Sequence, residues 1–469
     1  MFDRNALFNI IIFFLAVVFM LFIGISKIPL EYIYITFIII PVVIVITFTN
    51  TNIALIILIF SMLLSPELKV AGVPQRAVVV RFDDILLMVI FFSWLAKTAL
   101  NKELGLLRRT PLNPLIIAYI VVCVVATTLG IVTGQINALT SFFYILKYSE
   151  YFMLYFLVTN NIRDKRQIRV FIGAFLITCS ITCVYALLTV RNLYRSMEGA
   201  IYQAIETGDV ARATAPFEGV QGEANTLGGY LVLLFALTLG IFLYTRSRNW
   251  KLSCLPLLFL IFITLLQTLS RGSYLAFIFM YLSMIIFTKE KKALLINILV
   301  ISIIAIPIFV PNKVINRIKY TFVHGKLYTP FGIEITLEES AATRIENWKS
   351  IFKQWLKKPV LGHGVTGVGL VDTQYPRVLG ETGIVGLWIF LWLLGAIFRR
   401  SLDVLRNIKD DWANGISLGF LSGYIGLLFH SFSANTFIIV RIMEPFWFLA
   451  AMVMMLPQLY GDRKRLEKQ

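Results

Sequence analysis

Residues 225–251 read NTLGGYLVLLFALTLGIFLYTRSRNWK. The first part, 225–244, carries no charged residue, and Arg246, Arg248 and Lys251 follow at once. An uncharged run of this length matches the roughly 20 helical residues needed to cross the hydrocarbon core of a bilayer. Backbone N–H and C=O groups find no partner in lipid, so a span of this kind must be a helix. The cations at its end mark a cytoplasmic connection. The same two features, an apolar run and a cationic end, recur along the whole chain.

Of the 469 residues, 58% are hydrophobic and 15% are charged, and the mean hydropathy is +0.81. This composition excludes an ordinary water-soluble domain. The continuously apolar runs also speak against a closed barrel, whose strands alternate. The expected fold class is all-α: one integral membrane domain over 1–469, a polytopic transmembrane helix bundle with about 14 spans. They fall near residues 7–26, 29–48, 51–66, 84–99, 114–133, 140–159, 168–189, 225–244, 252–269, 273–288, 293–310, 382–398, 414–431 and 437–457. The third is short, and the 252–288 hairpin has a very tight turn. There is no internal repeat and no cleavable signal pattern; the first run reads as a retained span.

Orientation follows from the cations. Lys97–Arg109, Arg163–Arg169, Arg246–Lys251, Lys289–Lys292, Arg399–Lys409 and Arg463–Lys468 occupy alternate connections, while the short connections between them are nearly bare of Lys and Arg. Both termini are therefore expected in the cytoplasm. The net charge of +17 is accounted for chiefly by these clusters and does not call for nucleic acid. A smaller surplus in the outer loop is available to an anionic substrate. Cys123, Cys179, Cys183 and Cys254 all fall inside apolar runs and read as packing residues. Three histidines in the chain argue against a zinc site.

Two extracytoplasmic loops are expected, 190–224 and 311–381. The first contains Arg212 and ends at Glu223-Ala-Asn225, with Asn225 a candidate N-cap; the free N–H groups of such a helix start favour an anion. Arg212 reads either as an anion ligand or as a residue reaching up to the headgroups. Arg271, in Ser270-Arg271-Gly272, is the only charged residue between Lys251 and Lys289. An arginine in so apolar a hairpin needs a partner, a wet cavity or the interface, and its planar fork can grip a phosphate.

The second loop holds an amphipathic helix over 343–358 that suits a membrane surface. Thr343 to Glu346 fits a capping box, and Pro359 helps to end the helix. Ile345, Trp348, Ile351, Phe352, Trp355 and Leu356 form one apolar stripe. Lys349, Lys353 and Lys357 lie on the polar side. Arg344 falls on the apolar side, where it needs a carboxylate or a phosphate. A glycine-rich turn, Gly362-His363-Gly364, follows. Asp372 reads as a general base or as a solvated aspartate. Glu381, at the start of the next span, suits the helix dipole as well as any catalytic role. Inside the spans, Lys147 and Glu150, and Arg441 and Glu444, have the spacing of intrahelical pairs.

The run from Asp372 to Leu387 resembles the signature of the O-antigen ligase and O-antigen polymerase superfamily. Tyr375, Leu379, Glu381, Gly383, Gly386 and Leu387 match it. Asp372 stands at the family's histidine, Thr373 at its asparagine, and Pro376 at a usual leucine. The loop around Arg212 and Asn225, the Ser270-Arg271-Gly272 turn and the segment from Arg344 to Gly364 are similar to further family elements in the same order. The resemblance spans about residues 140–455.

It implies a glycosyltransferase of the outer face of the cytoplasmic membrane. Such an enzyme moves glycan from an undecaprenyl pyrophosphate carrier to an acceptor sugar, without metal or other cofactor. The product class is O-antigen, capsule or exopolysaccharide. The implied partners are the undecaprenyl pyrophosphate-linked oligosaccharide, an acceptor glycan, the lipid bilayer and other polysaccharide-assembly proteins, and no nucleic acid. The implied catalytic residues are Asp372, Arg271 and Arg212, with Arg344, Tyr375, Arg377, Glu381 and His363 binding substrate. Asp372 in place of histidine tilts the expectation toward polymerase; a ligase acting on a lipid or protein acceptor is the alternative. From another class, a polysaccharide or glycolipid transporter would show ionisable groups near the midplane.

Overall fold

The computed structural model describes residues 41–65, 67–73, 76–100, 108–196, 212–216, 223–288, 291–309, 326–328, 335–337, 339–369 and 371–460. Residues 41–49 are helical. Then come α1 (Thr51–Leu64), a hairpin of β1 (Glu67–Val73) and β2 (Arg76–Arg81), and α2 (Phe82–Leu100). Next are α3 (Asn113–Val132), α4 (Ala138–Asn161), α5 (Lys165–Ser196), α6 (Ala224–Tyr244), α7 (Arg248–Gln267), α8 (Arg271–Phe287) and α9 (Lys292–Phe309). A small hairpin of β3 (Lys326–Tyr328) and β4 (Ile335–Leu337) precedes α10 (Glu339–Trp355). The last described elements are α11 (Gln374–Asn407), α12 (Asp411–His430) and α13 (Val440–Tyr460).

The fold is the expected helical bundle, with two short hairpins among the described residues. Among the described residues, seven helices are long and apolar enough to cross a membrane, and α1, α8 and α9 are shorter apolar helices. The protein is a polytopic membrane protein. Twelve of the expected spans coincide with observed helices; the expected span 7–26, most of 29–48 and the clusters at 463–468 and around 289 lie outside the described residues.

The centre of the bundle is the contact between α6 and α12, and small residues make it possible. A Cβ on Gly240 would lie 2.3 Å from the Gly415 carbonyl oxygen, and one on Gly419 would lie 2.6 Å from the Leu237 Cα. Backbones approach this closely in membrane bundles because dispersion, not the hydrophobic effect, drives helix association in lipid. Aromatic packing extends the core to α4 and α13. Trp447 meets Phe152 at 4.9 Å and Tyr155 at 5.6 Å between ring centroids.

The structure revises several local expectations. The amphipathic helix begins at Glu339, so Thr343 and Glu346 sit one turn inside it and do not form a capping box. It ends at Trp355, whose indole N–H donates to the Pro359 carbonyl at 3.0 Å. Glu223, not Asn225, occupies the N-cap of α6. The helix expected over 382–398 starts at Gln374 and is interrupted at Gly383, where φ is 67°. The intrahelical pairs give way to pairs between elements: Lys147 meets Asp84 at 3.5 Å and Glu444 meets Arg81 at 3.4 Å.

Candidate functional site

The break at Gly383 explains the glycine-rich turn before it. A non-helical residue frees two backbone donors, which need partners. Ile384 N–H donates to the Pro359 carbonyl at 2.9 Å and Val385 N–H to Val360 at 3.3 Å. In return, His363 N–H donates to Gly380 at 3.0 Å and Gly364 N–H to Glu381 at 2.8 Å. A Cβ on Gly383 would lie 2.3 Å from the Val360 oxygen, so only glycine admits this docking. Gly362 and Gly364 carry positive φ, of 66° and 87°, which glycine adopts without strain.

Glu381 pins the same turn from inside. Its carboxylate accepts from Arg377 Nε at 3.0 Å, from Thr366 N–H at 3.0 Å and from Tyr148 Oη at 3.3 Å. Arg377 also lies over the Tyr144 ring, 5.7 Å from its centroid. Both charged side chains are buried. Glu381 and Arg377 therefore tie α11, α4 and the 362–366 turn together, and each already has its counter-charge. His363 faces Gln135 at 3.3 Å and the Gln354 carbonyl at 2.9 Å. It sits near the C-terminal end of α10, about 15 Å along that helix from Arg344.

The remaining residues gather elsewhere, around the end of α12. Leu269 turns the chain with φ of 48°, an uncommon conformation for a branched side chain. Ser270 then caps α8: its hydroxyl accepts from Ser273 N–H at 3.3 Å and donates to Asn225 Oδ1 at 2.6 Å. This puts Arg271 at the first position of α8, half-buried. Arg212 lies near the turn that leads to it, because the next residue, Ala213, donates its N–H to Gln267 at 2.9 Å. Pro216, at the end of that short segment, accepts from Arg441 Nη1 at 2.9 Å.

His430 is the hub of this region. Its Nε2 lies 3.2 Å from Ser273 Oγ and its Nδ1 lies 2.8 Å from Thr436 Oγ1. A Cβ on Gly229 would lie 3.2 Å from the His430 ring, and one on Gly272 would lie 1.9 Å from Ser433 Oγ. Missing side chains on α6 and α8 thus let both helices close upon His430. Arg344, half-buried on α10, is near enough to act electrostatically on the same ring.

Asp372 reaches this region through its neighbours. Asn435 donates to the Val371 carbonyl. Gln374 N–H donates to the Ser431 carbonyl at 3.2 Å, and Gln374 Oε1 accepts from Phe437 N–H at 3.0 Å. Tyr375 donates its hydroxyl to Leu428 at 3.0 Å and packs on Phe432 at 4.9 Å. Asp372 itself is exposed. Arg271, Arg344 and an open carboxylate thus lie near one loop, 430–437, and Arg212 lies by the turn that leads into α8. Guanidinium groups so placed can bind a dianion in bidentate fashion, and a carboxylate at the rim can accept a hydroxyl proton.

Sequence reading overlooked that loop. His430-Ser-Phe-Ser-Ala-Asn435-Thr is a polar run between two expected spans on the outer side, which was the available signal. It also overlooked a buried ion network around Arg81, at the end of β2. Arg81 pairs with Asp83, with Asp84 at 3.7 Å and with Glu444 at 3.4 Å. Burial alone would lower the Arg81 pKa, but the attraction of Asp83, Asp84 and Glu444 outweighs it, and the net direction is upward. Asp83, Asp84 and Glu444 lie close enough together to share a cation, yet Arg81 already occupies their midst.

Comparison with curated proteins finds none that matches. Residues 256–391, from α7 through the Arg271 turn, α10 and Asp372 to the first half of α11, match the family model described as O-antigen ligase. Over this segment the chain is similar to the O-antigen ligase family, which supports the resemblance to the O-antigen ligase and polymerase superfamily.

Proposed function

We propose that the protein polymerises lipid-linked oligosaccharide repeat units on the outer face of the cytoplasmic membrane. The observation that supports this reading is that Arg271, Arg344 and the exposed Asp372 lie near the 430–437 loop, with Arg212 by the turn that leads to Arg271. In the proposed reaction the arginines hold the pyrophosphate of an undecaprenyl carrier and stabilise it as a leaving group. Asp372 accepts the proton of the acceptor hydroxyl as its oxygen attacks the anomeric carbon. The carbon–oxygen bond to the pyrophosphate breaks, and the lipid pyrophosphate departs with the electron pair. Helix α10 covers the site from above.

Its exposed Ile345, Trp348 and Phe352, with Leu356 just past its end, suit a helix lying in the headgroup region. The carrier's own polyprenyl tail stays in lipid. Arg377 and Glu381, paired with each other, support the turn and take no part in substrate binding on this reading. The test is the purified full-length protein reconstituted with labelled lipid-linked oligosaccharide. A ladder of products is expected. A single transfer to a distinct acceptor would assign a ligase, and movement across the bilayer without chain growth would assign a transporter.

A further inference from the structure

At the opposite end of the bundle from Arg271 lies a cavity of about 320 Å³. From Ser141, which bonds the 365–366 turn, α4 runs roughly 28 Å to Asn160 at the cavity wall. Lys97, Arg108 and Arg163 all line it. No carboxylate is among the described residues that do so, and none of the three cations forms an ion pair with a described residue.

The rest of the lining is polar and uncharged. Asn52, Asn160, Asn161 and Gln167 supply amides, and Thr51 and Thr98 supply hydroxyls. Several of these side chains are already held in place: Gln167 Nε2 donates to Asn52 Oδ1 at 2.7 Å, and Asn160 Oδ1 accepts from Arg108 N–H at 2.8 Å.

Ordinary surface cations at a membrane boundary spread apart and extend to water. Here Arg163 acts repulsively on both Lys97 and Arg108, and all three still converge on one concavity. Asp164, next to Arg163, is engaged as a cap, accepting from Gln167 N–H at 2.7 Å. Like charges held together in a partly buried site imply an anion that offsets their repulsion.

We propose that this cavity binds a phosphate-bearing anion, remote from the glycan-transfer site. The expected orientation places it in the cytoplasmic leaflet, whose surface is rich in anionic headgroups and where basic pockets between helices recruit them. The same lining would take a free phosphate group, and the two sources separate by experiment.

The full-length protein, purified in neutral detergent, is titrated at constant ionic strength with dihexanoyl-phosphatidylglycerol, dihexanoyl-phosphatidylcholine or inorganic phosphate, and its thermal unfolding midpoint is followed. A ligand that binds only the folded state raises the midpoint. A rise with the phosphatidylglycerol alone identifies an anionic lipid headgroup as the occupant. A rise with inorganic phosphate identifies a free phosphate group. Either response is expected to disappear in Arg163→Gln and in Lys97→Gln, made separately, and to persist in Arg400→Gln, an exposed cation at the same end of the bundle. Arg163 is exposed, so that variant folds even where Lys97→Gln does not. No rise with either anion, or an undiminished rise in Arg163→Gln, overturns the proposal.

Discussion

Arg377 Nε and Glu381 Oε1 meet at 3.0 Å, one helical turn apart, with both side chains buried. The pair sits at the point where the 359–366 turn docks on the broken helix α11. Removing one member leaves a buried charge without its partner, which costs about 3–5 kcal/mol. Glu381→Ala is therefore expected to lower the unfolding midpoint sharply. Replacing both residues by apolar ones, as in Arg377→Met with Glu381→Leu, is expected to cost less than Glu381→Ala alone. Thermal unfolding of the purified variants checks the order; a double variant less stable than the single one would remove the structural role.

Arg271 carries the heaviest part of the proposed phosphate site. Arg271→Ala is expected to reduce polymer formation by about 100-fold or more, the usual consequence of losing one donor to a developing anion. The protein level in the membrane should be unchanged. Arg271→Lys keeps the charge but loses the fork, and is expected to restore activity poorly. Product ladders from cells carrying each variant report the result, and near-normal ladders with Arg271→Ala would refute the role.

Asp372→Asn preserves shape and removes the basic oxygen. Because a positioned general base contributes roughly 100-fold or more, the initial rate with labelled lipid-linked substrate is expected to fall by that order. Retention of most of the rate would reassign Asp372 to hydrogen bonding of the acceptor.

Gly272 tests how tightly α8 must close on the 430–437 loop. A Cβ there would lie 1.9 Å from Ser433 Oγ and 2.8 Å from Ser433 Cβ. Gly272→Ala is expected to displace Ser433 and, with it, the loop that borders Arg271, lowering the transfer rate. Adding Ser433→Gly removes both clashing atoms and should recover much of it. Rates for the single and double variants measure the coupling.

Arg81 is central to the second buried network. Arg81→Met leaves Asp83 and Glu444 facing each other without a cation, so a loss of about 3–5 kcal/mol is expected. The unfolding midpoint of the variant, with Lys97→Met as a half-exposed comparison, provides the measurement. Equal effects of the two substitutions would contradict the pairing.

Much of the bundle was legible because membrane physics writes itself locally. A run such as 225–244 must be a helix wherever it stands, and the amphipathic stripe of α10 needs only neighbours three and four positions away. The half-buried setting of Arg344 could also be read from that stripe. The capping-box reading of Thr343 failed because the helix gains an extra turn from Glu339, and a short capping motif does not exclude one. Lys147 and Arg441 were matched to carboxylates on their own helices, although nearer partners came from other elements. Their true contacts, Asp84 for the first and the Pro216 carbonyl for the second, lie 63 and 225 positions away in sequence.

By itself, the sequence determined that this protein is a polytopic helical membrane protein, which way its ends are expected to face, and which arginines stand out in apolar or amphipathic surroundings. Each of these rests on length, hydropathy and charge counted within a few turns. Only the tertiary structure decided that the segment after Arg212 docks on the turn before Arg271, that His430 joins α6, α8 and α12, and that Arg377 pairs with Glu381. Those relations depend on glycines that let particular helices approach and on hydrogen bonds exchanged across a broken helix, and packing of that kind leaves no periodic trace along the chain.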